Sequence, residues 1–408
     1  MFDYEKPKLP HLKDLVLLNE NNEFSVEPHL WYRILEQYSK KEIIEHFSHL
    51  IETTPVPFPY RKYLTEQTQL DFKSLCKEDV NWVRGEWVGL RIPKSLDLSF
   101  KRQGLYLDYI SKKGLIVSDQ FVQKIRMECG HKNSPSPARQ WDRKGFTSKV
   151  RPILKVLMNL NRDRTLKSGL YSASMYDCLR LGRYMASQFK PIVAKAIYDF
   201  FGAKRILDFS AGWGDRLVGF LASNAESYIG IDPNTKLHEP YQQIVDFCSV
   251  DKETKFICSP AEDADLTDVK VDFIFTSPPY FNTEKYSDEE TQSWKRYRSL
   301  NGWLNGFLYP TLKKCWDCLE DGGRIAINIT DVLEGNKYLK VCEPMVEYME
   351  SLGATYEGAI GYRIKKRPGK NQGSVGGDVY CEPIFIWSKG KAKDPLWYSE
   401  TYFSNIEG

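Results

Sequence analysis

Ser277-Pro278-Pro279-Tyr280 puts a hydroxyl, two prolines and an aromatic ring directly behind an apolar run, Val271-Asp272-Phe273-Ile274-Phe275-Thr276. The run has the length and composition of a core strand, and the prolines stop it from continuing. Two consecutive prolines also remove two backbone donors, so the loop is rigid and its carbonyls are left to accept hydrogen bonds. The Ser277 hydroxyl and the Pro278 carbonyl then offer two acceptors beside the Tyr280 ring. A planar base with an exocyclic NH2 needs that set. An ordinary proline-ended turn could carry the same residues, so the corner alone leaves both readings open.

A second stretch narrows the choice. Arg205-Ile206-Leu207-Asp208-Phe209 reads as a strand, Ser210-Ala211-Gly212-Trp213-Gly214 as a tight turn, and Asp215 onward as a helix. Glycines in such a turn let a ligand approach the backbone. Tyr228-Ile229-Gly230-Ile231-Asp232 follows as a second strand ending in a carboxylate, a common partner of a ribose diol. A phosphate-binding G-x-G-x-x-G is left incomplete by Leu217, and Asp208 at the turn would repel a pyrophosphate. A ligand with ribose hydroxyls and a cationic end fits better, and S-adenosylmethionine is such a ligand.

These residues resemble the amino-methyltransferases, which methylate cytosine N4 or adenine N6 in nucleic acid. Asp208-x-x-x-Gly212-x-Gly214 is similar to their first motif, Asp232 to their second and Ser277-Pro278-Pro279-Tyr280 to their catalytic fourth. Phe189-Lys190-Pro191 resembles the segment that closes over the methionine end, and the motif order resembles the gamma arrangement. The resemblance covers roughly residues 180 to 390. Trp213 departs from it where a small residue is usual, and Ser277 stands where adenine enzymes carry Asp or Asn. Serine is commoner among the N4-cytosine enzymes, so the resemblance favours cytosine.

What it implies is a Rossmann-like class I methyltransferase fold, α/β with a mostly parallel seven-stranded sheet, and S-adenosylmethionine as cofactor. The implied partner is nucleic acid, DNA over RNA, methylated at defined sites as in restriction-modification. Ser277, Pro278, Pro279 and Tyr280 are the expected catalytic corner. Phe189, Pro191, Asp208, Ser210, Gly212, Gly214, Asp232 and Glu262 are the expected cofactor contacts, with Asp208 near the methionine end, Asp232 at the ribose and Glu262 toward the adenine. Adenine N6 transfer, action on RNA, and a catalytically silent nucleic-acid binder are the competing readings. Enzymes that methylate protein glutamine share the corner but carry Asn at its first position.

The elements that must position these groups are legible at coarse grain. Five strand-like runs, 205–209, 227–232, 255–258, 271–276 and 323–329, alternate with helices, and 356–364 and 379–387 read as two more strands. Tyr184 to Phe201 has a helical pattern, and Gly322-Gly323 reads as a helix stop. Upstream, His29–Glu52, Glu66–Lys77 and Leu96–Lys112 read as helices, and 81–92 as a strand. A division follows at residues 1–171, mostly helical and basic, and 172–408, the methyltransferase domain.

Charge supports the division. Net charge is only +3 over 408 residues, yet 101–167 holds sixteen Lys/Arg against five Asp/Glu. Within it, the segment from His131 to Lys144 mixes cations, amides and Trp141, a composition suited to phosphate contacts with stacking. Arg139, Arg143 and Lys144, with Lys365, Lys366 and Arg367 from a Gly-rich loop, are the expected nucleic-acid contacts on opposite sides of the substrate. Nine cysteines without regular spacing fit a reducing compartment rather than a disulfide scaffold, and Cys315-x-x-Cys318 has no second pair to complete a metal site. No signal peptide or apolar run of membrane length is visible, so a cytoplasmic, DNA-associated protein is expected.

Overall fold

The computed structural model describes residues 8–80, 82–89, 102–108, 111–132, 134–141, 154–155, 169–182, 184–334, 337–364 and 379–390. Packing groups the chain into two units, Met1–Tyr63 with Gln123–Ala186, and Leu64–Val122 with Ser187–Gly408. Composition places the break at 171/172; packing instead puts 64–122 with the sheet-bearing unit.

The first unit is helical. The continuous periodicity of 29–52 is realised as two helices, Pro28–Gln37 and Lys40–Thr53, because Ser39 starts a new one. Its hydroxyl caps the Glu42 amide at 3.3 Å, and the Glu42 carboxylate returns to the Ser39 amide at 2.8 Å. Trp31, Ile34, Phe47, Met175 and Leu179 make the core. Arg126, counted among the basic excess, is buried here, donating to the Ala186 carbonyl at 2.9 Å and to Tyr176 Oη at 3.0 Å.

The second unit is built on one nine-stranded sheet. Its strands are β1 (Trp82–Gly89), β2 (Arg102–Leu107), β3 (Arg205–Asp208), β4 (Ser227–Ile231), β5 (Glu253–Ile257), β6 (Val271–Thr276), β7 (Leu319–Asn328), β8 (Thr355–Arg363) and β9 (Tyr380–Ser388). Seven of them lie in the order β5-β4-β3-β6-β7-β9-β8, parallel up to β7, with β9 antiparallel to both neighbours. That is the class I methyltransferase order. In β6 only Asp272 is not fully buried, as expected of a strand covered on both faces.

The other two strands extend this sheet. β1 and β2 pair antiparallel, β1 runs parallel to the start of β9, and β2 runs parallel to the end of β8. Trp87, Tyr106 and Cys381 form the small core they share. Residues 102–107 were expected to be helical from their spacing. The ladders offered by β1 and β8 override that local preference.

Other boundaries shift for local reasons. The helix expected over 184–201 begins only at Pro191, which occupies its first turn and ends at Phe200. The helix before β7 ends at Cys318, so Gly322 (φ 80°) and Gly323 belong to an irregular start of β7 rather than to a helix stop. Gly219, in the helix Asp215–Leu221, faces the Pro191–Phe200 helix so closely that a Cβ would stand 2.6 Å from both Ala194 Cβ and the Pro191 carbonyl. Among the described residues, no helix is long and apolar enough to cross a membrane.

Candidate active site

The turn after β3 is held from beneath. Asp208 is fully buried and accepts from Arg216 (Nε 2.7 Å, Nη2 3.2 Å), Tyr228 Oη (2.8 Å), Thr276 Oγ1 (2.9 Å) and the Ser210 amide (3.2 Å). Removing Arg216 would leave the Asp208 charge buried and uncompensated. The carboxylate expected near the methionine end is thus occupied by the protein, tying β3, β4 and β6 together under the turn. Gly212 and Gly214 both have positive φ, 58° and 76°, and a Cβ on Gly214 would meet Ile244 Cδ1 at 2.9 Å. The Ser210 carbonyl accepts from Arg216, the Ala211 amide donates to the Ile231 carbonyl at 2.9 Å, and the Gly212 carbonyl accepts from Tyr241 Oη at 2.5 Å. Of Ser210–Gly214, only Gly212 is not buried.

Asp232 closes the neighbouring strand end. Its Oδ2 accepts the Gly212 amide and its Oδ1 the Asn234 amide, each at 2.9 Å, so each oxygen keeps a lone pair. Burial pushes its carboxyl up to about 7, against the pull of those two amides. Asn234 is buried nearby, and its Nδ2 has no hydrogen-bond partner among the described residues. A buried amide donor and a carboxylate with spare acceptors, beside the glycine turn, suit a ligand with hydroxyls and a heterocycle.

The corner after β6 is bent by backbone contacts. The Pro279 carbonyl accepts the Phe281 amide at 2.9 Å and the Tyr280 carbonyl the Thr283 amide at 3.1 Å. Phe281 takes φ 52°, unusual for a bulky side chain, and is buried. No hydrogen bond to the Pro278 carbonyl is found among the described residues. Ser277 and Tyr280 are half-buried, and both hydroxyls reach Asn328 Oδ1, at 3.3 and 3.4 Å.

The polar stretch that follows lies against the loops after β3, β4 and β5. Tyr286 meets the Trp213 ring at 5.7 Å, Thr291 Oγ1 donates to the Pro233 carbonyl at 3.3 Å, and Glu289 accepts the Thr235 amide at 3.2 Å. Glu262, expected toward an adenine, instead accepts from Arg296 Nη1 at 2.8 Å and Tyr297 Oη at 3.0 Å. Burial raises its carboxyl pKa, with Arg296 and Tyr297 opposing. Trp213, the departure from the small residue usual in the turn, is explained by its seat under this strap. Phe189 packs edge-on against Phe275 and Tyr362, each at 5.5 Å, beside the buried Pro191.

Residues 271–405 match the family model described as DNA methylase, N6_N4_Mtase, starting at the strand that leads into Ser277. This segment is similar to the N6/N4 DNA methylases. The methylase segment spans about a third of the chain, and the family uses S-adenosylmethionine. The glycine turn and Asp232 lie upstream of it. No curated protein matches the chain. Similar solved structures include an S-adenosylmethionine-dependent O-methyltransferase from Thermotoga maritima, at 12% identity over 51% of this chain and 69% of that one, TM-score 0.32. A methyltransferase from Pyrococcus furiosus is 16% identical over 50% and 84%, TM-score 0.32. An rRNA methylase from Streptococcus thermophilus is 15% identical over 50% and 100%, TM-score 0.31. Scores this low decide nothing about substrate; strand order carries the fold.

Of the expected nucleic-acid contacts, Arg139 is exposed on the short helix Pro137–Trp141. Arg143, Lys144, Lys365, Lys366 and Arg367 lie outside the described residues. Trp141 cannot stack on a base. It is buried against Phe58, ring centroids 5.9 Å apart, and donates its indole N–H to the Val56 carbonyl at 2.9 Å. Asn328 was not anticipated, because an asparagine ending a core strand has no distinctive sequence neighbourhood.

Proposed function

We propose that this methylase transfers a methyl group to the exocyclic amine of a DNA base, with cytosine N4 the favoured atom. What supports the reading is the corner itself. Ser277 and Tyr280 come together on Asn328 Oδ1 at the end of β6, the strand that pairs with β3 and its Gly212 turn. No hydrogen bond to the Pro278 carbonyl is found among the described residues. S-adenosylmethionine supplies an electrophilic methyl on a sulfonium. Asp232 and the backbone at Gly212 would hold its ribose and main body, with Asn234 Nδ2 free to donate to an acceptor on it. Phe189 and Pro191 would flank its methionine end.

An exocyclic amine is a poor nucleophile because its lone pair is delocalised into the ring. Accepting both N–H groups at Ser277 Oγ and Pro278 O favours a pyramidal nitrogen whose lone pair points away from the ring. Serine is no base near neutral pH, so the proton leaves the methylated nitrogen to water after transfer. The acceleration then comes from orientation and fixed dipoles. Tyr280 would stack on a base flipped from the duplex or already single-stranded.

Adenine N6 is the second reading, since the matching family model spans both chemistries. Nucleoside mass spectrometry of DNA from cells expressing the chain distinguishes them. N4-methylcytosine is expected; N6-methyladenine would reassign the base, and the absence of either from DNA would overturn the reading.

A further inference from the structure

Asn328 ends β7 and is buried at 1% exposure, so it does not itself meet a base. Its Nδ2 lies 2.8 Å from the Pro383 carbonyl on β9, and a carbonyl only accepts. That contact fixes which way the amide points: Oδ1 faces the corner, where it meets Ser277 Oγ at 3.3 Å and Tyr280 Oη at 3.4 Å. Oδ1 only accepts, so a hydroxyl bonded to it is the donor. The contacts are long for O–H···O bonds, so their weight is in orientation rather than in binding energy.

The orientation matters for the proposed chemistry. A serine hydroxyl can offer a proton or a lone pair. A free hydroxyl would turn its proton toward the acceptor nitrogen that adjoins the amine in cytosine and adenine, binding the ring in the wrong sense and withdrawing the acceptor from the NH2. With its proton directed at Asn328, or toward the neighbouring Tyr280 oxygen, Ser277 shows only lone pairs to the substrate side. Tyr280 is held by the same atom, and its Oη also lies 3.4 Å from the Asn328 carbonyl. The same amide meets both hydroxyls, but only that of Ser277 bears on the acceptor, since Tyr280 would stack through its ring.

We propose that Asn328 is a positioning residue that acts through Ser277, fixing the hydroxyl as an acceptor for the exocyclic amine. This rests on the methyltransferase reading above. The test is a double-mutant cycle on single-turnover methyl transfer to DNA, using the full chain, with Ser277→Ala, Asn328→Ala and the pair. Asn328→Ala should slow transfer by about tenfold or more, with KM for DNA and cofactor affinity near those of the parent. In the Ser277→Ala background the same change should cost no more than about twofold, because its target is already gone. Asn328→Asp keeps an acceptor for both hydroxyls, and at 1% exposure its second oxygen holds a proton against the Pro383 carbonyl. It should transfer within about threefold of the parent, and it serves if the alanine variant does not fold. Additive losses in the cycle with either Asn328 variant would show that the residue merely ties β7 to β9 and overturn the proposal while the parent still methylates DNA. A parent that methylates no DNA base would instead overturn the reading on which it rests.

Discussion

Asp232 is the residue whose chemistry can be read most directly from solution behaviour. Burial raises its carboxyl to about 7 from an ordinary 3.8, and the nearby Asp208 charge adds to the shift while the Gly212 and Asn234 amides and Arg216 oppose it. The folded chain therefore binds a proton that the unfolded chain releases between those values. Stability linked to this group is complete below 3.8 and is lost as pH rises toward 7. With the proposed assignment of Asp232 to the ribose, cofactor binding should run the other way, since only the carboxylate offers acceptors to both hydroxyls. Calorimetric titration should show affinity rising with pH and levelling above 7, and Asp232→Asn should bind more weakly by about 1–3 kcal/mol with a flat profile. A parent profile as flat as that of the variant would mean the ribose is held elsewhere. Tyr280 offers a second test at this scale. Tyr280→Phe keeps the ring and should keep DNA affinity, whereas Tyr280→Ala should lose about 1–3 kcal/mol of it, the worth of one stacked base; equal affinities across the three proteins would remove the stacking role.

Among the elements, the strap over residues 284–297 is the one whose position assigns it work. It meets the loops after β3, β4 and β5 through Trp213, Thr235 and Glu262, so its release would uncover all three together. The Arg296–Glu262 contact is its most sheltered polar tie, with the carboxylate side chain 4% exposed and the guanidinium 29%. Arg296→Ala should raise the cofactor off-rate severalfold, in keeping with about 1 kcal/mol for a half-sheltered pair. Stopped-flow displacement of a bound cofactor analogue reads this, and an off-rate equal to the parent's would leave the strap a static cover. The break between the helices Pro28–Gln37 and Lys40–Thr53 shows the converse, a structural event decided by one local box, Ser39 with Glu42, inside a longer apolar period.

At the scale of the whole molecule, the sixteen Lys/Arg against five Asp/Glu of residues 101–167 are proposed to hold DNA phosphates. Neutralising Arg139, Arg143 and Lys144 together should weaken DNA binding and reduce the salt slope by up to about three units, one for each phosphate that is no longer neutralised. Cofactor affinity should stay as in the parent. An unaltered slope would assign these cations to an ordinary solvated surface. Not every cation of the segment is available for such a role, since Arg126 is spent inside the first unit.

The sequence by itself determined the seven-strand methyltransferase sheet, the glycine turn and the proline corner, because each is announced by local signals. Strand runs carry their own apolar pattern, glycines mark where the backbone must open, and prolines mark where a strand must stop. What a residue touches across the sheet is not a local property. Only the tertiary structure decided that Asp208 is enclosed by Arg216, Tyr228 and Thr276, that Trp141 is core rather than a stacking platform, and that residues 102–107 join the large sheet as a strand. Asn328 is the clearest instance. Its neighbours in the chain say only that a core strand is ending, and its place against Ser277, Tyr280 and Pro383 exists because β6, β7 and β9 lie side by side.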